Sequence, residues 1–189
     1  MIRLFVGLSV SEVICNRLAA LSSGIPGARW VAPDNMHITL KFIGDIENGL
    51  ADDIDIALQA VRADQMELNI EGVGVFGKKH GGRLIWAVVQ SNDVLLRLYK
   101  KVDVALNNIG IARENRKFLP HVTIARLRNA SAARVEAFVA EHAAFTAGPF
   151  GVSEITLFSS YLATSGAVYR AEATYSLKPN ILIGRSPAT

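Results

Sequence analysis

The chain contains 189 residues, of which half are hydrophobic and 20% are charged, and its formal net charge is +3. A domain usually has about 100–200 residues, and a chain of this length buries roughly 70% of its unfolded surface, so the composition excludes a large multidomain assembly and a disordered chain. Cys15 is the only cysteine, which excludes a disulfide framework and a cysteine-based zinc cluster, and its apolar neighbours indicate a packed residue in a reducing compartment.

Hydrophobic periodicity divides the chain into alternating strands and helices. The elements predicted first are a strand over residues 3–10, a helix over 12–23, a strand over 36–43, a helix over 47–62 and a strand over 67–76. After a glycine-rich basic turn, those predicted next are a strand over 83–89, a helix over 92–108, a strand over 118–127, a helix over 132–142 and strands within 152–159 and 167–175. Residues 178–189 are predicted to form a tail.

No segment of the sequence is typical of a membrane span or a secretory signal. The longest uncharged run, residues 155–169, is shorter than the ~20 apolar residues needed to cross a bilayer. The first apolar segment reaches Glu12 before a signal-peptide core is complete, and no small-residue cleavage site follows. The sequence therefore predicts a soluble cytoplasmic protein without a membrane partner.

The order of elements repeats along the chain. His37-Ile-Thr-Leu recurs as His121-Val-Thr-Ile after 84 residues, and Ala28-Arg29 recurs as Ala112-Arg113 at the same offset. We therefore expect an α+β fold that is bilobal and pseudo-twofold, a pair of antiparallel sheets flanked by helices, with a central cleft between their polar faces. The expected domain is single, residues 1–177, and is built from repeats of about 1–82 and 83–177.

Each repeat presents a histidine and a threonine on one face of a strand. Because residues i and i+2 project from the same face, His37 lies beside Thr39, and His121 lies beside Thr123. Two imidazoles with pKa values near 6.5 suit a base and an acid on opposite sides of one reacting centre. The two hydroxyls suit anionic oxygens, so the pattern favours in-line cleavage of a phosphodiester. The spacing does not distinguish the acid from the base.

These segments resemble the 2H phosphoesterases, a superfamily named for paired H-x-T-x motifs. Its two signature strands are similar to NMHITLKFIGDI and FLPHVTIARL in this chain. Its RNA 2′,3′-cyclic phosphodiesterase branch, also called LigT-like or 2′-5′ RNA ligase, is similar in RLFVGL, KFIG and SSYLATSGAVY as well. The resemblance covers roughly residues 3–175 and implies a bilobal sheet pair with both histidines in the central cleft.

The resemblance also implies an activity, namely hydrolysis of RNA 2′,3′-cyclic phosphate ends to 2′-phosphomonoesters. We expect no metal or other cofactor, because no carboxylate or cysteine stands at ligand spacing from the two histidines. The resemblance implies that His37 donates a proton to the leaving oxygen, that His121 activates water, and that Thr39 and Thr123 hold phosphoryl oxygens. The expected partners are RNA ends or nucleotides that carry a 2′,3′-cyclic phosphate, and no protein partner is implied. The alternatives are a 2H enzyme for small cyclic nucleotides or 2′-5′ linkages, reverse ligation, and a nucleotide- or RNA-binding module without turnover.

Two cations are candidate substrate-binding residues. Strict alternation would put Arg126 on the apolar face of its strand, where a charge is costly, so either the strand ends there or a bulge turns Arg126 toward the cleft. The resemblance favours a substrate role, and a solvent-facing arginine is the alternative. Lys41 shares by parity the face of His37 and is the second candidate, with an ordinary exposed lysine as its alternative.

Three other patterns could indicate a phosphate, dinucleotide or metal site, and each also has an ordinary structural explanation. The five basic residues within 113–128 favour phosphate-bearing ligands, and a solvated loop is the alternative. The segment 72–77 matches G-x-G-x-x-G, but a strand follows it instead of a helix, which argues against a dinucleotide site. His80 and His142 lack a ligand partner at metal-binding spacing and are predicted to be surface residues, so no metal site is predicted.

Overall fold

The computed structural model describes residues 2–77, 83–163 and 166–179. Within these ranges the chain forms nine strands, four α-helices and one short 3-10 helix over Pro33–Asn35. The strands are β1 (Ile2–Ser9), β2 (Ala28–Trp30), β3 (His37–Ile46), β4 (Met66–Phe76), β5 (Arg83–Val89), β6 (His121–Leu127), β7 (Thr146–Val152), β8 (Glu154–Ala163) and β9 (Gly166–Ser176). The α-helices are α1 (Glu12–Ala19), α2 (Asn48–Gln59), α3 (Asp93–Asn107) and α4 (Ala132–Glu141).

The strands form one antiparallel sheet in two halves. Its path runs β7-β4-β5-β6-β3-β1-β8-β9, and β2 pairs with β6 beside this path. At the centre, β3 and β6 share a single residue pair, Ile38 opposite Val122. The α+β fold with two antiparallel sheet units is confirmed, and the two units are hydrogen-bonded to each other only at this central pair in the part of the chain described.

Each half of the sheet takes strands from both parts of the sequence. Outward from the centre, one half runs β6-β5-β4-β7 and the other runs β3-β1-β8-β9. Strand β4, which ends the first predicted repeat, pairs with β5, and β8 from the second repeat pairs with β1. A repeat of the sequence therefore does not coincide with a half of the sheet, and neither repeat supplies all the strands of one half.

Helix α3 shows how the sequence covers the apolar face of the sheet. Its N-cap residue Asn92 accepts a hydrogen bond at 2.8 Å from the backbone N–H of Leu95, which satisfies a donor of the first turn. Apolar residues then recur at helical spacing, and none of them is more than 1% exposed: Leu95, Leu98, Val102 and Leu106. This helix packs against β3, so the apolar side chains of β3 meet the helix layer and the opposite face stays open.

Two strands were absent from the sequence prediction. Strand β7 contains Gly148, Pro149 and Gly151, which obscure a strand pattern and are tolerated because β7 is an edge of the sheet. Strand β2 has only three residues, too few for a periodic signal. The predicted helix over 12–23 ends earlier, at Ala19, and the predicted strand over 118–127 begins later, at His121.

Two predicted segments lie largely outside the described residues. Residues 78–82, which include His80, are one of them, and residues 180–189 of the predicted tail are the other. Lys178 is not part of a loose tail, because its backbone N–H donates to the carbonyl of Ala63 at 2.9 Å. None of the helices described is long and apolar enough to cross a membrane.

Candidate active site

The central residue pair of the sheet brings the two H-x-T motifs together. Ile38 and Val122 are fully buried and face the helix layer. Because side chains alternate along a strand, their four sequence neighbours project from the opposite, open face, which we call the cleft face. These neighbours are His37, Thr39, His121 and Thr123. The antiparallel direction of the pair sets each histidine across from the threonine of the other motif.

The two imidazoles are held by the same backbone contact. Nδ1 of His37 lies 2.8 Å from the carbonyl oxygen of Asn35, and Nδ1 of His121 lies 2.7 Å from that of Leu119. A carbonyl only accepts, so Nδ1 carries the proton in each neutral ring and Nε2 carries the lone pair. Each Nε2 is thereby prepared to take a proton as a base or, once protonated, to give one as an acid.

Aromatic rings surround His37. The ring centroids of Phe5, Tyr169 and Phe158 lie 4.7, 5.0 and 5.8 Å from that of its imidazole. Burial lowers the pKa of His37 to about 4, the hydrogen bond to the Asn35 carbonyl opposes this, and the charges of Arg126 and His121 lower the pKa further. His37 is therefore neutral near pH 7 when no anion is bound.

His121 has a related but less enclosed environment. The rings of Phe76 and Trp86 stack on each other at 4.3 Å and meet the imidazole edge-on, at centroid distances of 5.3 and 5.5 Å. Burial lowers the pKa of His121, and the hydrogen bond to the Leu119 carbonyl opposes this shift. Both histidines thus favour the neutral form, and the larger of the two shifts belongs to His37.

A β-bulge turns Arg126 onto the cleft face. The pairing of β6 with β5 slips by one residue at Ile124, so the alternation of side chains reverses after it. Arg126 is exposed, and its Nη2 atom lies 3.5 Å from the hydroxyl of Tyr169. Since its charge also acts on the pKa of His37, the guanidinium lies on the side of the sheet that carries the motifs. The sequence left open either a strand end or a bulge at Arg126, and the structure contains the bulge.

An equivalent slip at Leu40 removes Lys41 from the cleft face. The side chain of Lys41 is only 4% exposed, and its Nζ donates to the carboxylate of Asp103 at 2.6 Å and to the carbonyl of Ala112 at 2.7 Å. The prediction that Lys41 contacts substrate is therefore corrected, because parity along a strand holds only as far as the bulge. Phe42 takes the position on the cleft face and is 69% exposed.

Sequence reasoning did not single out the aromatic side chains around the histidines. They lie one to three strands out from the strands of the motifs, Phe5 and Trp86 on the adjacent strands, Phe76 and Phe158 on the second strands out, and Tyr169 on the third. A period of two assigns each ring to one face of its own strand, but it does not say which strand lies beside it. All five stand in segments already predicted as strands, and that was the usable signal.

Cys15 and His142, which the sequence analysis also considered, lie outside the cleft face. Cys15 is buried, as predicted, and burial raises the pKa of its thiol to about 11. His142 was predicted to be a surface residue; it is partly exposed, and its ring lies against that of Phe138 at a centroid distance of 4.4 Å. Among the described residues no three His, Cys, Asp or Glu side chains are close enough to bind one metal ion together.

Comparison with known protein families shows to which family this chain belongs. The family model described as LigT like phosphoesterase matches residues 8–86 and 88–169. The chain belongs to the LigT-like phosphoesterase family. A relative named RNA 2′,3′-cyclic phosphodiesterase from Archaeoglobus fulgidus is 29% identical over 171 residues, which cover 89% of this chain and 96% of the relative. One of the same name from Aquifex aeolicus is 31% identical over 176 residues, which cover 89% and 93%.

Solved structures share the LigT-like fold. The protein TT0787 of Thermus thermophilus superposes with a TM-score of 0.78 at 20% identity and covers 94% of this chain and 98% of its own. E. coli LigT complexed with 3′-AMP superposes with a TM-score of 0.74 at 23% identity and covers 93% and 98%. At such identities the likeness concerns the fold alone, and the resemblance to LigT-like 2H phosphoesterases predicted from the sequence is confirmed.

Proposed function

We propose that this chain is an RNA 2′,3′-cyclic phosphodiesterase that opens the cyclic phosphate at an RNA end to a 2′-phosphomonoester. Family membership and the names of relatives over 89% of the chain support this activity. The observation that carries the proposal is the pair of histidines on adjoining strands, each with Nδ1 bonded to a backbone carbonyl and a threonine two residues on. Two such units suit a reaction that needs a base and an acid on opposite sides of one phosphorus atom.

The proposed steps use both Nε2 atoms. His121 takes a proton from water, whose oxygen forms a bond to phosphorus, and the bond between phosphorus and the 3′ oxygen breaks. Protonated His37 gives its proton to that departing oxygen, which leaves the phosphate on the 2′ oxygen. This assignment of the two histidines follows the family resemblance. His121 ends protonated and His37 ends neutral, so the pair is restored when His121 releases a proton to solvent and His37 takes one up.

The bound substrate itself prepares the acid. In the unliganded protein the pKa of His37 is about 4, partly because of the charge on Arg126. A phosphodiester anion beside the imidazole favours the protonated form and opposes both burial and that charge. Arg126 meanwhile pairs with the anionic oxygens by charge-assisted hydrogen bonds, and the hydroxyls of Thr39 and Thr123 donate to the same oxygens.

The nucleoside has a surface on the same face. The ring of Phe42 is 69% exposed and lies 6.0 Å from that of Phe5, which in turn lies against His37. Stacking of a base on an aromatic ring tolerates any base, because every base has a π face. We therefore propose that Phe42 stacks on a base near the cyclic phosphate.

A cytoplasmic location, expected from the single cysteine, stays a prediction.

The deciding experiment is product analysis with an RNA oligonucleotide that ends in a 2′,3′-cyclic phosphate. We expect wild type to produce a 2′-phosphomonoester, and we expect His37→Ala and His121→Ala to remove most of the activity. His142→Ala is the matched control, because that ring packs on Phe138 away from the motifs. Tight binding without turnover would support a binding module instead, and turnover confined to cyclic mononucleotides or 2′-5′ linkages would support the alternative substrates.

A further inference from the structure

A second arginine lies beside Arg126 on the cleft face. Strand β2 pairs with the end of β6, and the register sets Arg29 directly opposite Arg126. Opposed residues of an antiparallel pair project from the same face, with Cβ atoms about 4.5–5.5 Å apart. The next residue, Trp30, turns to the other face, where its ring packs 5.6 Å from that of Phe138 on α4. Arg29 and Arg126 therefore share the open side of the sheet.

This pairing of two cations is unfavourable in the absence of an anion, because like charges directly opposite destabilise an antiparallel pair. Both side chains are exposed, and the ion pairs found in the described ranges include neither of them. Elsewhere on the surface, Arg3 and Arg116 pair with carboxylates at 2.7 and 2.9 Å. The two guanidinium groups thus leave a concentrated positive charge next to the motifs.

The two arginines are placed for different anions. The charge of Arg126 acts on His37, so Arg126 is the cation associated with the reacting phosphate. Arg29 lies on β2, one strand away from Arg126 on β6, and neighbouring strands are about 4.8 Å apart. An RNA end carries a second negative charge close to the first, on the phosphodiester one nucleotide upstream of the cyclic phosphate. A cyclic mononucleotide lacks that charge.

We propose that Arg29 binds the phosphodiester next to the reacting phosphate, so that the protein prefers RNA ends to cyclic mononucleotides. The inference rests on the proposed function, which places the reacting phosphate at Arg126 and the histidines. It goes beyond that function because it assigns a second anion site and a minimum length of the preferred substrate.

The test is binding of two ligands that need no turnover, a trinucleotide ending in a 2′-phosphate and a nucleoside 2′-monophosphate, by calorimetry at several salt concentrations. We expect Arg29→Ala to weaken trinucleotide binding by about 10-fold, as for a lost charged hydrogen bond, and to lower the salt slope by about 0.7. Binding of the mononucleotide is expected to change by less than about twofold. Arg29→Lys should keep the salt slope, since lysine retains the charge.

Arg128→Ala is the matched control, because Arg128 is exposed just after the end of β6 and carries the same charge. Equal losses of both ligands in Arg29→Ala, no loss of either, or an equal loss of trinucleotide binding in Arg128→Ala would each overturn the inference. The unfolding midpoint of Arg29→Ala is expected to stay or rise, because a like-charge contact is removed. If wild type binds as expected but does not hydrolyse a cyclic phosphate, the proposed function fails and the second anion site stands.

Discussion

The two sides of the cleft face use one backbone arrangement in two different environments. On β3 and on β6, the histidine donates through Nδ1 to the carbonyl two residues before it, and a bulge follows the threonine. After the bulge, β3 presents the apolar ring of Phe42 where β6 presents the charge of Arg126. The duplicated backbone therefore positions the imidazoles, and the unequal side chains around them separate their pKa values.

The largest effect is expected from removing either imidazole. His37→Ala and His121→Ala should each lower kcat by about 10²–10⁴, the range for a lost general acid or base. The double variant should be little worse than either single one, because the two groups act as a unit. Steady-state rates on a cyclic-phosphate RNA end measure this. A double variant whose loss equals the product of the single losses would contradict paired action.

The next effect is expected from the hydroxyls. Thr39→Val and Thr123→Val should lower kcat by about 10²–10³, as for one positioned donor to a developing charge, and should leave the unfolding midpoint almost unchanged. Both side chains are partly exposed on the cleft face, so the added methyl group has room. If both variants keep wild-type kinetics, the threonines are ordinary strand residues.

A third prediction compares the two cations that follow the bulges, Arg126 on the cleft face and the buried Lys41. Arg126→Ala should lower kcat/KM by about 10- to 100-fold, because a charge-assisted contact to the phosphate is lost, with little change in stability. Lys41→Ala should instead lower the free energy of unfolding by about 3 kcal/mol, because Asp103 is left without its partner in a mostly buried site. Kinetics and urea unfolding of both variants check this contrast. A loss of stability in Arg126→Ala together with a loss of kcat/KM alone in Lys41→Ala would contradict the side of the sheet to which the bulges assign each residue.

The smallest effect is an acid sensitivity of the fold. The ordinary pKa of a histidine, 6.5, applies to His37 in the unfolded chain, and burial lowers it to about 4 in the folded protein. Between these two pH values the unfolded chain therefore binds more protons than the folded protein. Stability from this residue is complete above pH 6.5 and is lost as the pH falls toward about 4. Urea unfolding of His37→Gln should show a smaller loss of stability over this window than wild type. An identical loss in the two proteins would contradict the burial of His37.

The sequence correctly predicts those features of the site that depend on residues close together along one strand. Parity placed His37 beside Thr39 and His121 beside Thr123, and the 84-residue offset indicated that both motifs occupy equivalent strands. Parity failed at Lys41 because the bulge at Leu40 is not marked by a glycine or a proline. For Arg126, the cost of a buried charge gave the needed warning, whereas Lys41 had no such conflict.

The features that the sequence could not predict depend on contacts between distant segments. Phe5 meets Phe158 because β1 pairs with β8, and such pairing is decided by the packing of the whole sheet. The exchange of β4 and β8 between the two halves has the same origin. The like-charged pair of Arg29 and Arg126 also depends on the pairing of β2, a strand too short to recognise from its pattern.

The most direct test of the central claim is the pH dependence of kcat/KM for hydrolysis of an RNA 2′,3′-cyclic phosphate end in the presence of EDTA. The account predicts full activity in EDTA and a bell-shaped profile, one limb for each histidine, with the limb of the free protein's His37 near pH 4. An enzyme that EDTA inactivates and a divalent cation restores, or a profile without two limbs, would contradict catalysis by two imidazoles of opposite protonation state.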